Sequence, residues 1–416
     1  MTPWKMRGLG VGLLAGACAG LLDLACVLNA GPAFATGEDP NDYTALVLGH
    51  AFLAQPDATY MQEVVNTYVD NPTDFGQRIY NVVGNPVSVY TPETDYGSGL
   101  TQGVTDLNNQ LTPLLTANPD AALVVAGYSM SNSVITQEMI NLAAAGVSDP
   151  NLKFVLAEDL NNPDGGIFTR FPGTFGVNLP ATPADSPYET DVYTIEYSGA
   201  SDFPQYYGNL FADSNAANGY YDLHPYLLTG WPAYFDPSTV TSAVDEGTYG
   251  NTTYYLIPTQ DLPILDGLHG VNGTSAYADL IQPDMRVLAD LGYDWTGDPS
   301  ASTAATLSNP DIDFTAADSY LNAGADQGVI AAFVDFGILP QSDLSDLYPY
   351  VPDVSGLEAG ALTNDTLAAS DASASYAALV ADLATSTNPL AADLGSFAPA
   401  LATDMAGFFQ SLASTL

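Results

Sequence analysis

The sequence predicts an α/β fold in which a mainly parallel sheet is flanked by helices, followed by a helical C-terminal extension. Between Tyr43 and Tyr293, short apolar runs alternate with stretches of helical spacing, as expected when crossover helices connect parallel strands. The run Leu-Val-Val at 123–125 is continuously apolar, which is typical of a strand buried on both faces of a sheet. After Gly297 the composition shifts to Ala, Ser, Asp, Thr and Leu, which favours a separate helical region.

The individual elements follow from the same periodicities. Strands are expected where short runs of apolar and aromatic residues occur, at 44–48, 87–90, 123–125, 154–157, 192–197 and 254–257. Helices are expected where apolar residues recur every three or four positions, near 59–68, 98–116, 134–142, 277–291, 327–336 and 376–383.

Two stretches interrupt this rhythm. Residues 161–187 are rich in Gly, Pro, Phe and Asn, which predicts a long ordered loop or lid rather than a helix. Residues 210–245 are rich in aromatic residues and are expected to be irregular. Because long loops inside a compact domain commonly carry binding residues, both are candidate substrate surfaces.

The N-terminus has the three-part form of a secretory signal. Lys5 and Arg7 precede an apolar run over 8–28, and Ala33-Phe34-Ala35 ends the segment before polar sequence begins. We expect cleavage after Ala35 and export to the cell envelope or the medium. The run is about long enough to span a bilayer, so an uncleaved membrane anchor is the alternative.

Composition excludes several classes of function. With 48 acidic residues against six Lys and Arg, the net charge of −42 disfavours nucleic-acid binding. Cys18 and Cys26 both lie in the N-terminal segment, so the rest of the chain has no disulfide, thiol nucleophile or cysteine metal site. No metal or organic cofactor is expected. The few remaining cations are expected to anchor internal ion pairs rather than bind substrate: Arg78, Lys153, Arg170 and Arg286.

The C-terminal tail carries an apolar stripe at helical spacing. Its members are Leu390, Leu394, Phe397, Leu401, Met405, Phe408 and Leu412. Such a stripe predicts a helix that packs back onto the rest of the chain, and a helix that binds a lipid surface or a partner is the alternative.

The segment Gly127-Tyr128-Ser129-Met130-Ser131 has the features of a nucleophile elbow. It joins a predicted buried strand to a predicted helix and places Ser129 between small residues, as the strained strand-to-helix turn of serine hydrolases requires. Ser131 stands where that pattern usually has a second Gly. A helix cap without catalytic role is the alternative interpretation of Ser129.

A serine nucleophile needs a base and an acid that orients the base. The chain has three histidines, and those that follow the serine, as chain order in this fold class requires, are His224 and His269. His224 is the expected base and His269 the alternative. Asp202, which follows the strand predicted at 192–197, is the expected acid, with Asp213 and Asp222 as its nearest rivals.

Two backbone N–H groups are candidates for the oxyanion hole. Met130 follows the serine directly, and Gly49-His50 follows the first strand, where the second donor usually originates. The sequence therefore predicts donors at Met130 and at His50.

The sequence resembles the PE-PPE domain family of mycobacterial proteins, serine α/β-hydrolases related in layout to cutinases. The resemblance covers about 46–293 and rests on the segments 127–131, 162–171, 196–204, 215–226, 254–263 and 280–293. It implies that Ser129, Asp202 and His224 form the triad, because they match the family's serine, Asp-Phe-Pro and His-Pro-Tyr elements. The family commonly has Arg at the position of His269, and the resemblance therefore favours His224 over His269 as the base. The family's PE or PPE helical module is absent here, and His50 and Phe52 interrupt the run of small residues expected after the first strand.

We therefore expect a signal or anchor at 1–35, an α/β-hydrolase domain at 40–297 and an Ala/Asp/Ser-rich helical region at 298–416. The expected function is an exported serine esterase or lipase that cleaves carboxylic esters of apolar acyl chains. The alternatives are an acyltransferase that moves acyl chains onto glycolipid hydroxyls of the trehalose type, and a non-catalytic envelope binding protein. The expected partner is a lipid or ester small molecule, with possible cell-envelope or membrane association.

Overall fold

A computed structural model describes the chain from residue 42 onward, with gaps. The described ranges are 42–70, 80–118, 120–174, 176–225, 243–259, 261–268, 275–295, 297–310, 312–340, 377–381, 384–385 and 389–414. The predicted signal or anchor at 1–35, Arg78 and His269 lie outside the described residues. None of the helices within these ranges is long and apolar enough to cross a membrane.

Within the described ranges, the strands lie between residues 42 and 257, with helices between and after them. The strands are β1 Asp42–Val47, β2 Asn81–Val82, β3 Val87–Ser88, β4 Leu123–Tyr128, β5 Leu152–Ala157, β6 Glu189–Ile195, β7 Val244–Tyr249 and β8 Thr252–Ile257. The helices are α1 Ala58–Val64, α2 Ser98–Ala117, α3 Met130–Ala144, α4 Ile167–Arg170, α5 Leu210–Asp222, α6 Ser275–Asp290, α7 Phe314–Asp335 and α8 Pro389–Ala413. A π-helical turn, Val65–Val69, continues α1, and a short 3₁₀ turn covers Pro263–Leu265.

The strands form one sheet in the order β2-β1-β4-β5-β6-β8-β7, with β3 also paired to β1. All pairings are parallel except that of β7 with β8. The predicted α/β class, a mainly parallel sheet flanked by helices with a helical extension, is confirmed. Because the carboxyl ends of parallel strands meet at one edge, the residues that follow β4, β5 and β6 lie near one another.

Alternate side chains along each strand supply two cores, one on each face of the sheet. Val124, Ala126 and Tyr128 of β4 face the core that also contains the helix α1 and its π-helical turn. Leu123 and Val125 face the core formed with α2 and α3. The two-sided burial explains the continuous apolar run in β4, which fixes the strand that carries the elbow at the centre of the sheet.

The prediction of irregular structure over 210–245 is wrong for its first part. Asn209 caps the helix α5, its side chain accepting hydrogen bonds from the N–H groups of Phe211 and Ala212. The helix buries small residues such as Ala212 and Ala216 and leaves Tyr221 73% exposed. In most helices the large apolar residues are buried, so a search for their periodicity does not detect a helix that buries small residues. Residues 226–242 lie outside the described part. In the described residues of the loop predicted over 161–187, which are 161–174 and 176–187, the short helix α4 is the only helix, and no strand occurs.

The C-terminal helices pack on α6, the last helix of the α/β region. The backbone of α7 approaches α6 closely at Gly328, where an added Cβ would lie 2.0 Å from the carbonyl oxygen of Leu280. Helix α8 then packs against α7 and α6. The prediction that this helix packs back onto the rest of the chain is confirmed, and Leu401, Met405 and Leu412 of the predicted stripe pack against α6 and α7. Two other members of the stripe, Phe397 and Phe408, are exposed. The buried positions of α8 include Ala398, Ala402, Ala406, Phe409 and Ala413. Alanines allow close helix contact, and the two exposed phenylalanines mislead a pattern based on side-chain size.

Candidate active site

Ser129 occupies a strained turn between β4 and α3. Its φ of 60° and ψ of −123° lie in a region that residues other than glycine rarely adopt. The turn is fixed from the neighbouring strand, because the Ser129 N–H donates to the carbonyl oxygen of Ala157 at 3.1 Å. The side chain is buried but reaches the imidazole of His224. This conformation is that of a nucleophile elbow.

Gly127 and Ser131, the two small residues of the elbow, are small for different physical reasons. A Cβ on Gly127 would lie 2.6 Å from both Asn132 Oδ1 and Ile135 Cδ1, so a larger residue there would require these buried side chains to shift. The Ser131 hydroxyl accepts the N–H of Tyr128 at 3.0 Å and lies 3.1 Å from the Tyr128 carbonyl oxygen, to which it donates. Ser131 therefore replaces the usual second glycine with a residue that is small and also ties the turn to itself.

His224 lies just beyond the end of α5 and is held along its backbone. Its N–H donates to the carbonyl oxygen of Gly219 at 2.9 Å, and its own carbonyl oxygen accepts the hydroxyl of Tyr128. Two phenol rings contact the imidazole: Tyr220 stacks on it with ring centroids 5.5 Å apart and planes at 11°, and Tyr128 lies at 5.7 Å and 31°. Backbone and ring contacts together fix where the imidazole nitrogens point.

The two nitrogens of His224 link a serine to a carboxylate. Nε2 lies 2.7 Å from the Ser129 Oγ, and Nδ1 lies 2.9 Å from Oε2 of Glu158. With the carboxylate ionised, Nδ1 carries the proton and Nε2 is free to accept that of the serine hydroxyl. The structure thus brings Ser129 and His224 together as the sequence predicted, with a carboxylate that the sequence analysis did not select.

Glu158 is the first residue after β5, the strand next to that of the serine. It is fully buried and adopts a φ of 55°. Its other oxygen, Oε1, accepts the N–H of Ile195 at 2.7 Å and the hydroxyl of Ser201 at 2.8 Å. These bonds compensate for the burial of a charged group and hold the carboxylate rigidly toward His224.

Asp202, the acid expected from the sequence, is placed differently. It follows β6 as predicted and is buried, but its Oδ2 accepts the N–H of Tyr197 at 2.7 Å, while Nδ1 of His224 is bonded to Glu158. Burial raises the pKa of Asp202 well above its ordinary value, against the lowering influence of the Tyr197 hydrogen bond and Arg170. The expected contact between Asp202 and the imidazole is corrected: Asp202 closes the turn after β6.

The sequence position of Glu158 meets the same local criteria as that of Asp202. It directly follows the strand predicted at 154–157, and it lies between the serine and the histidine in chain order. Only the three-dimensional position of the α5 terminus separates the two carboxylates.

The two predicted oxyanion donors follow two neighbouring strands, Met130 after β4 and His50 after β1. Met130 is buried and opens α3, where the first N–H groups of a helix have no partner within it. His50 lies in the loop after β1, with Nδ1 2.8 Å from the carbonyl oxygen of Ala51 and its ring 5.6 Å from that of Tyr60. Since β1 pairs with β4, this loop and the start of α3 occupy the same edge of the sheet.

The backbone of Glu93, a residue with a buried side chain, supports the His50 loop. The N–H of Phe52 donates to the carbonyl oxygen of Glu93 at 2.8 Å, and both residues have positive φ. The Glu93 side chain is 2% exposed and accepts the hydroxyl of Thr91. Burial raises the pKa of Glu93 to about 7, and the Thr91 hydrogen bond opposes this.

An apolar pocket of about 400 Å³ lies beside His224. It is lined by residues that follow β5 and β6 and by one face of α5, most of them aromatic or aliphatic: Tyr96, Leu160, Ile167, Phe168, Gly199, Phe203, Ala216, Ala217, Tyr220 and Tyr221. Tyr220 belongs to the pocket wall and also stacks on the imidazole. Tyr220 therefore lies between the pocket and the imidazole of His224 and contacts both.

The described Lys and Arg residues form ion pairs, those of the two arginines in the interior and that of Lys153 with an exposed glutamate. Arg170 lies 2.7 Å from Asp164, Arg286 lies 3.1 Å from the buried Glu196, and Lys153 pairs with Glu189. Within the described ranges, no group of three His, Cys, Asp or Glu side chains is arranged to hold a metal ion.

The profile of the PE-PPE domain matches residues 54–294, which include the serine, the histidine and both carboxylates discussed above. The chain belongs to the PE-PPE domain family. The helices α7 and α8 lie beyond the PE-PPE match.

Similar proteins carry the same domain under several names. The chain is 40% identical over 294 residues to the PE family protein PE3 of Mycobacterium tuberculosis, covering 65% of this chain and 60% of that protein. It is 36% identical over 281 residues to Esterase PE16 of the same organism, covering 65% and 52%. It is 30% identical over 302 residues to SL1278 acyltransferase Chp1, also from Mycobacterium tuberculosis, covering 68% and 70%. The chain thus spans between half and two thirds of the length of the first two relatives.

Among solved structures, a cutinase-like protein from Cryptococcus sp. aligns with a TM-score of 0.27 and 13% identity. The alignment covers 39% of this chain and 79% of that one.

Proposed function

We propose that this protein is a serine enzyme that acts on carboxylic esters of apolar acyl chains. The observation that carries the proposal is the hydrogen-bonded series Ser129–His224–Glu158, with 2.7 Å and 2.9 Å between its members. A serine on a strained elbow, a base at bonding distance and a buried carboxylate that orients the base together meet the geometric requirements of a catalytic triad. The similarity to a protein named as an esterase supports the same activity.

Each triad member has a defined step. His224 Nε2 takes the proton from Ser129 as Oγ attacks the ester carbonyl, and the imidazolium then gives that proton to the leaving alcohol. Glu158 bonds Nδ1–H throughout and stabilises the positive charge. A water molecule, deprotonated by His224, then attacks the acyl-enzyme, and the free acid is released as Ser129 regains its proton. The N–H groups of Met130 and of the His50 loop are the proposed oxyanion donors, each contributing about 3 kcal/mol in comparable sites.

The apolar pocket supports the choice of substrate. Its lining offers aromatic and aliphatic side chains without Lys or Arg, so a charged acyl group would lose its hydration there without gaining a counter-charge. An aliphatic chain would instead remove apolar surface from water.

The test of the proposal is labelling by a fluorophosphonate probe, which phosphonylates an activated serine. We expect stoichiometric labelling of the wild type, no labelling of Ser129→Ala, and loss of ester cleavage in the same variant. Folded wild-type protein that is neither labelled nor more active than Ser129→Ala would contradict the proposal and favour a non-catalytic binding protein on this fold.

Acyl transfer is the second candidate. Similarity to two proteins named as acyltransferases, SL1278 acyltransferase Chp1 and Diacyltrehalose acyltransferase Chp2, favours it, because the same acyl-enzyme can be resolved by a sugar hydroxyl. Product analysis with trehalose added as acceptor separates the two reactions. Acylated sugar as the main product supports transfer, whereas free acid alone at all acceptor concentrations supports hydrolysis.

We also propose that the protein is exported to the cell envelope or the medium, from the signal-like segment before Gly37. Mass spectrometry of the N-terminus of protein from a mycobacterial host tests this. A mature chain that begins at Thr36 is expected. An intact N-terminus in the membrane fraction would favour the uncleaved anchor, and an intact N-terminus in the cytosol would contradict export.

A further inference from the structure

Tyr220 is the residue that connects the pocket to the base. It lies on α5, four residues before His224, so a single helical turn separates the two side chains. Its ring is nearly parallel to the imidazole, with centroids 5.5 Å apart, and is 46% exposed. The same ring lines the apolar pocket.

The neighbouring residue provides a natural comparison. Tyr221 also lines the pocket and packs edge-on against Tyr220, with centroids 5.4 Å apart and planes at 86°. The ring contacts of the imidazole, however, are made by Tyr220 and Tyr128. Two adjacent tyrosines thus share the pocket, and one of them contacts the base.

We propose that Tyr220 is a positioning residue that converts filling of the pocket into alignment of His224. The inference rests on the proposed ester chemistry and deepens it, because it assigns the acyl chain to this pocket and selects substrates whose chain is long enough to reach Tyr220. An acyl chain packed on the ring restricts its motion, and the stacked imidazole is restricted with it. Glu158 fixes one edge of the imidazole and Tyr220 fixes one face.

This arrangement has a kinetic signature. Binding energy from methylene groups that only hold the substrate lowers KM, whereas energy that is realised when the base is aligned raises kcat. Each methylene buried in the pocket is expected to raise kcat/KM about fourfold until the pocket is full. If Tyr220 couples pocket filling to the base, part of this increase in kcat/KM is an increase in kcat, and the increase in kcat requires the Tyr220 ring.

The experiment measures kcat and KM for p-nitrophenyl esters from acetate to decanoate with the full-length protein. In the wild type, kcat is expected to rise with chain length up to the capacity of the pocket. Tyr220→Ala is expected to lower kcat for acetate at least fivefold and to abolish the rise of kcat with chain length. Tyr220→Phe, which keeps the stacked ring, is expected to restore both. Tyr221→Ala is expected to raise KM for the longer esters and to lower kcat for acetate by a smaller factor than Tyr220→Ala does.

Two outcomes would overturn the inference. One is a Tyr220→Ala variant that keeps both the acetate kcat and its rise with chain length, and the other is an equal fall of kcat in Tyr220→Ala and Tyr221→Ala. Tyr220→Leu provides the same test if the alanine variant folds poorly, because it keeps apolar volume without an aromatic face. Labelling of Ser129 by a fluorophosphonate distinguishes the levels of failure: unlabelled wild type refutes the ester chemistry itself, whereas labelled wild type with unaffected Tyr220 variants refutes only the role of Tyr220.

Discussion

Nδ1 of His224 lies 2.9 Å from Oε2 of Glu158, a contact that joins the end of α5 to the end of β5. The carboxylate that contacts the imidazole therefore directly follows β5, the strand adjacent to that of the serine. Asp202, the acid expected from the family resemblance, lies in the turn after β6, and its carboxylate accepts the N–H of Tyr197 instead.

The first prediction separates these two carboxylates. Glu158→Gln keeps the shape of the side chain but presents either an amide N–H or a neutral oxygen to Nδ1, so the tautomer and the charge of the imidazole are no longer stabilised. We expect kcat to fall by about 10³- to 10⁴-fold, as in other triads that lose their carboxylate charge. Asp202→Asn still accepts the Tyr197 N–H and is expected to remain active. Full activity of Glu158→Gln together with an inactive but folded Asp202→Asn would reverse the assignment.

The second prediction concerns the hydroxyl that closes the elbow. Ser131→Ala leaves the buried N–H of Tyr128 without its partner, which is expected to cost about 1–3 kcal/mol of the free energy of unfolding. Because the turn also sets the direction of Ser129 Oγ, kcat should fall as well. Ser133→Ala is the matched control: it removes a buried hydroxyl of the same helix that bonds Asn161, away from the elbow. Urea unfolding and steady-state kinetics of both variants provide the comparison, and an equal loss of kcat in the two would contradict the role of Ser131.

The third prediction uses two adjacent phenylalanines of α8. Phe409 is 3% exposed and packs in the core formed with α6 and α7, whereas Phe408 is 59% exposed. Phe409→Ala is expected to lower the free energy of unfolding by about 3–5 kcal/mol, as for other buried aromatic side chains. Phe408→Ala should change it by about 0.5 kcal/mol or less. The opposite ranking in urea unfolding would mean that α8 packs through the stripe predicted from the sequence.

The fourth prediction is a loss of stability with rising pH. Burial raises the pKa of Glu93 from its ordinary value of 4.5 to about 7, and those of Asp266 and Asp290 to about 7. In each case the folded state keeps a proton that the unfolded state has lost. The folded state is therefore favoured at acid pH, and this advantage is lost as the pH rises from about 4.5 through about 7.

Urea unfolding at pH 5.5 and pH 8 checks this sign. Glu93 alone is expected to lower the free energy of unfolding by about 2 kcal/mol between these two values, from its shift at 1.36 kcal/mol per unit. Glu93→Gln should show a smaller fall than the wild type over the same interval. A wild type that is more stable at pH 8 than at pH 5.5 would contradict the prediction.

Local patterns were sufficient for the parts of the structure that are themselves local. The apolar strand and the small residues around Ser129 predict the elbow. The three histidines and chain order leave His224 and His269 as possible bases, and the family resemblance favours His224. The sequence did not separate Glu158 from Asp202, because both follow predicted strands, both precede the histidine, and 48 acidic residues make a nearby carboxylate uninformative. The choice depends on where α5 ends in space, which follows from tertiary packing.

The sequence predictions for α5 and for the buried face of α8 differ from the structure for the same reason. In α5 and α8 the buried faces consist largely of alanine, while Tyr220, Tyr221, Phe397 and Phe408 are exposed. Side-chain size is a good guide to burial when a helix packs through large residues, and it fails when close backbone approach is favoured by small ones.

Helix α6 packs against both the α/β region and the C-terminal extension, which limits how the two regions can be recombined. Its inner residues complete the α/β region, while Val287, Leu288 and Leu291 contact Ala317, Tyr320 and Phe409 of the extension. One helix thus serves as the common wall of two layers that composition alone would divide at Gly297. The extension is consequently no interchangeable module: transplanting it onto another PE-PPE domain would require the recipient's last helix to present a matching outer face, and an excised α/β region would expose an apolar surface of α6 to water.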